Sequence, residues 1–291
     1  MTTLVAAWTG ARERLKAAGI DSPAIDARLL LEVAANVART DIVTDPYREL
    51  TEEQAATLNT YLERRSRREP VSHIIGRKGF WKILLRVNKD VLTPRPDTEV
   101  IVDIVLAAYP EHQRFSFLDL GVGSGAIALA ILAERPAAQA LGIDISEEAL
   151  AVARDNAASL GLEGKLALLR GDWTRGLADA SFDLVVSNPP YIASEEIETL
   201  EPEVKHHEPR LALDGGADGL DAYRLLAPEA LRLLREDGLL AFEIGHTQAE
   251  AVSALLRQAG AEDIRVHHDL AGRDRVVSAS KKLLGNRFPN R

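Results

Sequence analysis

The feature that most constrains the fold is a regular alternation of two kinds of segment from about residue 97 onward. Segments rich in β-branched and apolar residues are typical of strands, and they alternate with segments whose apolar residues recur at helical spacing. Such alternation through short connections predicts a mostly parallel sheet covered by helices on both faces. We therefore predict an α/β fold whose ligands bind beyond the carboxyl ends of the strands. The predicted strands are RFSFLDL, AQALGIDI, KLALLRGD, SFDLVVSN and GLLAFEI, followed by a final hairpin within IRVHHDLAGRDRVVSAS.

The first 70 residues have a different pattern, which is helical. Ser22 before Pro23 is typical of a helix start, and Thr51 with Gln54 fits a capping box. The segment FWKILLRVNKDVL that follows is rich in β-branched and aromatic residues and predicts a strand or hairpin. We predict a helical bundle over residues 1–75, a hairpin linker over 76–95, an α/β domain over 96–282 and a tail over 283–291.

Composition and charge disfavour several classes of function. The chain contains no cysteine, which excludes disulfides, thiolate metal sites and a cysteine nucleophile. The formal net charge is −9: residues 1–80 hold 12 Lys and Arg against 11 Asp and Glu, which leaves 23 against 33 for the rest. We expect no stable binding to nucleic acid, because phosphate contacts need many basic side chains. The RRSRRE cluster at residues 64–69 predicts a solvated helix end, with a contact to RNA or to an acidic partner as the alternative.

The sequence also disfavours a membrane protein. No uninterrupted apolar stretch reaches the roughly 18 residues that a membrane span needs. The segment MTTLVAAWTGARER lacks the basic start and the cleavage site of a signal peptide. We therefore expect a cytoplasmic protein, and we expect it to be a monomer.

A glycine-rich loop follows the first predicted strand of the α/β domain. FLDLGVGSGAIALA places Asp119 at the strand end and then Gly121, Gly123 and Gly125 before a helix, so that the backbone can approach a ligand closely. This signal alone is weak, and the third glycine comes one residue earlier than in a nicotinamide-dinucleotide loop. A carboxylate beside the glycines attracts a cationic sulfonium and repels a pyrophosphate. The loop therefore favours S-adenosylmethionine as the cofactor.

Polar or aromatic side chains follow the next two predicted strands. Asp144 can accept both hydroxyls of a ribose, although it could instead cap the next helix, in competition with Ser146. Asp172 can accept from an exocyclic amine, and the Trp173 indole can stack on a purine, although a lone tryptophan is more often a packing residue. Asp144 comes first along the chain and would contact the ribose, and Asp172 and Trp173 follow the next strand and would contact the adenine. This order suits an adenosyl group.

The segment VVSNPPYI ends the fourth predicted strand with a stiff turn. Each proline fixes its own φ and restricts the residue before it, so Asn188, Pro189 and Pro190 are nearly fixed in an extended shape. A planar –NH₂ group offers two N–H donors, which the Asn188 side-chain oxygen and the Pro189 carbonyl could accept together. Tyr191 would add an aromatic wall for a flat substrate group. The turn therefore predicts a clamp for an amide or an exocyclic amine beside the cofactor.

Taken together, these motifs resemble the bacterial release-factor glutamine methyltransferases over nearly the whole chain. The resemblance implies a Rossmann-like methyltransferase domain with a helical N-terminal domain. It also implies methylation of the side-chain amide nitrogen, N5, of the glutamine in the Gly-Gly-Gln motif of class I peptide chain release factors. The motifs that carry it are LTPRPDTE, DLGVGSGAIALA, GIDIS, FDLVVSNPPYI, DGGADGLDAYRLL and DLAGRDRVV.

The resemblance and the residues together suggest individual roles. Residues 92–99 should lie near the active site, and the N-terminal bundle should help to bind the release factor. The predicted substrate-binding residues are Asn188, Pro189, Pro190 and Tyr191, of which Asn188, Pro189 and Tyr191 are the predicted catalytic residues. The predicted cofactor-binding residues are Asp119, Gly121, Val122, Gly123, Ser124, Gly125, Asp144, Asp172, Trp173 and Asn188.

The chain departs from the family pattern at two places. Val122 stands where the family usually has a small polar residue, and Lys82, Ile83 and Leu84 stand where Gly-Leu-Pro commonly follows the tryptophan. Neither departure touches the predicted acceptors. We expect no metal at KHHEPR, residues 205–210, because adjacent histidines in regular structure point apart.

Three alternatives to this function remain. An adenine amino-methyltransferase acting on DNA or RNA would present the same two donors to Asn188 and Pro189. A non-catalytic adaptor that binds an adenosyl cofactor would not need the complete clamp, and a nicotinamide-dependent dehydrogenase would need a different glycine loop.

Overall fold

The computed structural model describes residues 2–281, which divide into two compact units. One unit comprises the described chain up to Arg77 together with Glu201–His207, and the other comprises the rest. The predicted tail over 283–291 lies outside the described residues.

The helices are α1 (Leu4–Ala17), α2 (Pro23–Ala35), α3 (Arg39–Thr44), α4 (Glu52–Ser66), α5 (Val71–Ile75), α6 (Glu99–Ala108), α7 (Ala126–Glu134), α8 (Glu147–Ser159), α9 (Pro202–His207), α10 (Asp221–Leu233) and α11 (Ala249–Gln258). The strands are β1 (Arg77–Phe80), β2 (Ile83–Arg86), β3 (Ser116–Leu120), β4 (Gln139–Asp144), β5 (Leu166–Arg170), β6 (Phe182–Ser187), β7 (Leu234–Glu243), β8 (Glu262–His268) and β9 (Asp274–Ser280).

The first unit is a helical bundle whose helix starts follow the sequence signals. Thr51 Oγ1 accepts from Gln54 N at 3.2 Å while Gln54 Oε1 accepts from Thr51 N at 3.0 Å, which is the predicted capping box. Ser22 precedes Pro23 at the predicted start of α2, but its side chain makes no capping hydrogen bond. The core is apolar and is formed mainly by leucines, among them Leu4, Leu15, Leu30, Leu31, Leu58 and Leu62.

The arginine cluster at the end of α4 is only partly the solvated helix end that its charge predicts, since Arg67 is exposed but Arg65 is not. Arg65 is only 7% exposed. Its Nε donates to Asp26 Oδ2 at 2.7 Å, and its Nη1 donates to Glu203 Oε1 at 2.8 Å. Arg64 forms an ion pair with Glu69. Carboxylates from α2 and α9 therefore neutralise a guanidinium inside the bundle.

The second unit is built on a seven-stranded sheet of order β5-β4-β3-β6-β7-β9-β8. Strands β3 to β7 are parallel, and β9 runs antiparallel to β7 and β8. The predicted fold class and the predicted final hairpin are confirmed. The chain builds outward from β3 to β5 and then returns to the other side of β3 with β6. A ligand-binding crevice is expected at such a reversal, beyond the carboxyl ends of β3 and β6.

Two apolar layers cover the sheet because residues along β3 alternate between its faces. Phe117 packs with residues of α6, α7 and α8, whereas Leu118 and Leu120 pack with residues of α10 and α11. The predicted hairpin is formed by β1 and β2, and its Phe80 and Leu85 belong to the first of these layers. Within residues 2–281, no helix combines the length and the apolar character that crossing a bilayer requires.

Candidate active site

A cleft of about 620 Å³ opens at the carboxyl ends of β3 to β6. This volume lies in the range of about 300 to 1,000 Å³ that is usual for small-molecule and cofactor sites. The walls come from the segment that precedes α6, the glycine loop, the ends of β4 and β5, the turn after β6, the loop that precedes α10 and the start of α10. The cleft thus occupies the crevice expected from the strand order.

Most of the residues predicted to form a site line this cleft. Asp119, Gly125, Pro189 and Tyr191 are not among the lining residues of the described chain. The predicted residues that do line it are Gly121, Val122, Gly123, Ser124, Asp144, Asp172, Trp173, Asn188 and Pro190.

The glycine loop is fixed to strand β4 by its backbone. Gly121 and Gly123 have φ of 72° and 53°, values that residues with a side chain rarely adopt. The N–H groups of Gly121 and Val122 both donate to the Ile143 carbonyl at 2.9 Å, and Gly123 N donates to Asp144 Oδ2 at 2.9 Å. The loop therefore carries its backbone along the cleft wall in one conformation.

The departure at Val122 is accommodated within the sheet. The Val122 side chain is 4% exposed and belongs to the apolar core. It occupies the space beside Gly142 of β4, where an added Cβ would lie 2.8 Å from Val122 Cγ2. The valine side chain thus packs against a strand that has no side chain at the facing position.

Asp119 lies in the interior and does not reach the cleft wall. It is 1% exposed; Oδ2 accepts from Ala128 N at 3.1 Å, and Oδ1 has no hydrogen-bond partner among the described residues. Burial raises the pKa of this carboxyl to about 7, although the bond from Ala128 lowers it and the nearby Asp144 raises it further. An unpartnered buried carboxyl oxygen beside the glycine loop leaves acceptor capacity for a cationic or N–H-bearing ligand.

Asp144 is not the cap of the following helix. Ser146 has that role, since its Oγ accepts from Ala149 N at 3.1 Å. Asp144 instead accepts from two backbone N–H groups, that of Gly123 through Oδ2 and that of Ser146 through Oδ1, which fix its orientation. Each oxygen can still accept a further hydrogen bond. An oriented carboxylate at the cleft wall is suited to two adjacent hydroxyls.

Trp173 combines packing with a place on the cleft wall. The residue has φ of 54°, packs against the core on the α10 side of the sheet and lines the cleft. A Cβ added to Gly121 would lie 3.6 Å from Trp173 Cζ3, so the glycine loop passes close to the indole. Asp172 is exposed and lines the cleft next to it. Trp173 therefore packs on the core and also lines the cleft, and the stacking on a purine predicted for it stays a prediction.

The turn after β6 presents Asn188 to the cleft. Its Nδ2 donates to Thr98 Oγ1 at 3.3 Å, which leaves Oδ1 as the acceptor available to a ligand. The Tyr191 ring does not line the described cleft, in contrast to the wall predicted for it. Its hydroxyl donates to the buried Glu243 at 3.4 Å, and burial raises its pKa well above the usual value. The tyrosine supports the turn from behind.

A glycine-containing loop and a glutamine hold this turn in place. Gly215 N donates to Ile192 O at 2.8 Å, and a Cβ added to Gly215 would lie 2.8 Å from the Pro190 carbonyl oxygen. Gln248 Nε2 donates to Tyr191 O at 2.9 Å and to Gly219 O at 3.1 Å. The loop that contains DGGADG thus lies directly against the proline turn and forms part of the cleft wall.

Several contacts within the site could not be predicted from the sequence. Arg95 Nη2 donates to both carboxylate oxygens of the buried Glu208, at 2.8 and 2.7 Å, and so ties two wall segments together. Thr98 lies within the predicted segment 92–99, but its bond to Asn188 could not be predicted. Gln248 and Glu243 lie far along the chain, and only the strand order brings them to this turn.

Comparison with known proteins gives matches to both units. Residues 6–76 match the family model described as the PrmC N-terminal domain, and residues 99–216 match that of the methyltransferase small domain. Among solved structures, a methyltransferase from Pyrococcus furiosus matches with a TM-score of 0.50 at 15% identity, covering 68% of this chain and 89% of that chain. The hMettl16 catalytic domain in complex with the MAT2A 3′UTR hairpin 6 matches with a TM-score of 0.57 at 14% identity, covering 81% and 86%. At these identities the structures share the fold alone.

Curated relatives match over nearly the full length. Three proteins named release factor glutamine methyltransferase are 71%, 46% and 41% identical to this chain, from Caulobacter vibrioides, Rhodospirillum rubrum and Moorella thermoacetica. They cover 97%, 94% and 96% of this chain, and the matches span 98%, 83% and 99% of the relatives themselves. The likeness therefore includes the helical unit, the glycine loop and the proline turn alike, and the chain belongs to the release factor glutamine methyltransferase family.

Proposed function

We propose that this protein transfers a methyl group from S-adenosylmethionine to N5 of the glutamine in the Gly-Gly-Gln motif of class I peptide chain release factors. The observation that carries the proposal is the Asn188 carboxamide at the cleft, whose nitrogen is engaged by Thr98 and whose oxygen remains available to an N–H donor. The names of the full-length relatives support the same substrate class.

The residues around the cleft fit S-adenosylmethionine. Asp144 would accept the ribose hydroxyls, Trp173 would pack against the adenine, and Asp172 would accept from its exocyclic amine. The glycine loop leaves room for close approach, and the unpartnered Asp119 Oδ1 provides negative potential beneath it. When bound, the cofactor supplies an electrophilic methyl group on a positively charged sulfur.

The clamp would act on the substrate amide by orientation and electrostatics. Asn188 Oδ1 would accept one N–H of the glutamine amide and the Pro189 carbonyl the other, so that the face of the nitrogen points into the cleft. These hydrogen bonds strengthen as positive charge develops on the nitrogen, which favours the transition state over the ground state. The new N–C bond would form as the methyl–sulfur bond breaks, so that S-adenosylhomocysteine leaves and one N–H proton of the glutamine passes to solvent. No strong general base is required in this scheme. Tyr191 would support the turn from behind, without contacting the substrate.

The helical unit would bind the release factor outside its glutamine, and the protein would act as a monomer. Because release factors act on ribosomes in the cytoplasm, the proposed substrate implies reaction there. Nucleic acid would not be a stable partner, since residues 81–291 carry 33 acidic against 23 basic side chains.

The test is transfer of labelled methyl from S-adenosylmethionine to a purified class I release factor. The control is the same factor with the Gly-Gly-Gln glutamine replaced by alanine, and duplex DNA and ribosomal RNA are assayed in parallel. We expect label on the intact factor alone, with the methyl group located on that glutamine by mass spectrometry. Equal label on the alanine control would overturn the assigned atom. Label on nucleic acid alone would identify an adenine amino-methyltransferase, and cofactor binding without transfer to any of these acceptors would support the adaptor.

A further inference from the structure

Behind the proline turn lies a buried polar cluster formed by Thr98, Asn188, Tyr191, Glu243 and Arg275. Glu243 is 0% exposed and accepts a hydrogen bond from the Tyr191 hydroxyl at 3.4 Å, and the Thr98 hydroxyl lies close enough to lower the pKa of this carboxyl. Its Oε2 has no hydrogen-bond partner within the described chain. Burial raises the pKa of Glu243 to about 7, against the lowering effect of Thr98 and Arg275.

The sheet register explains why this carboxyl lies beside the clamp. Ser187 of β6 pairs with Phe242 of β7, so the next residues, Asn188 and Glu243, leave neighbouring parallel strands at the same level. Thr98 immediately precedes α6 and lies between them in the hydrogen-bond chain. A fully buried carboxyl with an unpartnered oxygen is costly for the fold, so stability does not account for a glutamate at this position.

The hydrogen-bond chain has a direction, because a threonine hydroxyl has one proton. An ionised Glu243 can only accept, so the hydroxyl of the nearby Thr98 would direct its one proton there, and the Thr98 oxygen accepts from Asn188 Nδ2 at 3.3 Å. In this arrangement the amide nitrogen of Asn188 faces Thr98, and the amide oxygen faces the cleft. If Thr98 instead donated to Asn188, the carboxamide would turn over and present N–H groups to the substrate amide, which cannot accept them at its nitrogen.

We propose that Thr98 and Glu243 are positioning residues that fix the orientation of the Asn188 carboxamide, with Glu243 acting through Thr98. The inference rests on the proposed function, because it assigns these residues to the amide clamp. Neither residue is required to contact the substrate amide. The Arg275 side chain lies next to Glu243 and forms ion pairs with Asp97 and Asp269, each at 3.3 Å, which secure the far side of the cluster.

The test compares Thr98→Val, which keeps the shape and removes the hydroxyl, with Thr98→Ser, which keeps the hydroxyl. The control is Thr174→Val: Thr174 is also buried and donates to a glutamate, Glu229, at 2.7 Å, but it does not line the cleft. We expect Thr98→Val to lower kcat at least about tenfold, with the Kd for S-adenosylmethionine changed less than about threefold. Thr98→Ser should stay within about threefold of the unmodified protein in kcat, as should the control.

A double-mutant cycle tests the role of Glu243. Glu243→Gln can donate to Thr98 and so reverse the hydrogen-bond chain, which should lower kcat about fivefold or more in the unmodified protein. In the Thr98→Val background it should have less than about a twofold effect, because residues that act through one another are not additive.

Distinct results would overturn the proposal. These are a normal kcat in Thr98→Val or in Glu243→Gln, an equal loss in Thr98→Ser and Thr98→Val, or an additive double variant. A loss of cofactor affinity alone would also contradict it. All of these readings require that the unmodified protein methylates the release factor, so absence of that activity indicates failure of the proposed function and not of the positioning role.

Discussion

At the scale of single residues, surroundings decide what each acidic or amide side chain in the cleft region can do. Asp119 and Asp144 both stand at the ends of neighbouring parallel strands. Asp144 is oriented by two backbone N–H groups and faces the cleft, whereas Asp119 is buried with one oxygen unpartnered. The orientation of the Asn188 carboxamide is set by the Thr98 hydroxyl, which accepts from its Nδ2 and lies outside the motif VVSNPPYI. Residue type alone therefore does not determine function at this site.

Replacement of Asn188 by alanine tests the clamp directly. We expect kcat to fall by about 100-fold or more, because the substrate amide loses one hydrogen-bond acceptor, Asn188 Oδ1, and is no longer held in the reactive orientation. The melting temperature should change by no more than about 3 °C, since the side chain is half-buried and makes one long hydrogen bond. The measurements are methyl transfer and thermal denaturation of the same preparation. Near-normal turnover would contradict the mechanism.

The buried carboxyl of Asp119 predicts a pH dependence of stability. Its folded-state pKa of about 7 lies above the unfolded value of about 3.9, so its favourable contribution is present at low pH and is lost as pH rises through about 7. Between about pH 5 and pH 8, the ligand-free protein should lose about 2.5 kcal/mol of unfolding free energy relative to Asp119→Asn. Urea denaturation of both proteins at the two pH values measures this difference. Parallel pH profiles would show that Asp119 does not titrate in this range.

At the scale of elements, the strands and helices follow local patterns and were predictable, but the contacts between distant segments were not. RFSFLDL and SFDLVVSN contain the strands β3 and β6 because alternation and turn signals are encoded locally. The positions that follow these strands were predictable as cleft residues because parallel strands end at one edge. The pairing of β6 with β7, which brings Glu243 beside Asn188, depends on the order of strands in the sheet. No short segment encodes that order.

The loop that precedes α10 offers a test of an element that supports the turn. Gly215→Ala would introduce a Cβ 2.8 Å from the Pro190 carbonyl oxygen and 2.9 Å from Tyr191 Cα, so the turn must shift. We expect kcat to fall at least about tenfold, because small displacements of a positioned group are costly. Gly164→Ala is the matched control, since an added Cβ there meets no atom within 4 Å. Equal activity of the two variants would show that the loop does not position the turn.

At the scale of the whole molecule, the two compact units do not follow the order of the chain. The helical unit takes in α9, a segment from between the proline turn and the loop that precedes α10. That segment contributes Glu203, whose Oε1 accepts from the buried Arg65 at 2.8 Å and from Arg68 at 3.2 Å. The sequence of α9 does not show that this helix belongs to the helical unit. The carboxylate that pairs with a buried arginine can come from any part of the chain, so the pairing of Glu203 with Arg65 could not be predicted.

Removal of Glu203 tests how strongly this segment is held in the helical unit. Glu203→Ala leaves Arg65 with Asp26 as its remaining carboxylate partner and should destabilise the bundle by about 1 to 3 kcal/mol. Hydrogen exchange of the amides in α2 and α4 reports this locally. The control is Glu201→Ala at an exposed position of the same segment, which should change stability by less than about 0.5 kcal/mol. Unchanged exchange in Glu203→Ala would mean that the ion pair contributes nothing to the bundle.

The discontinuous helical unit has a consequence for the construction of chimaeras between relatives. Exchange of residues 1–77 alone would place a foreign α2 and α4 around a resident α9, and Asp26, Arg65 and Glu203 would then come from two parents. A transplant that also carries residues 201–207 keeps all three charges together. The crossover points that preserve this domain therefore number three, after residues 77, 200 and 207, and recombination at the first alone splits a buried charge network.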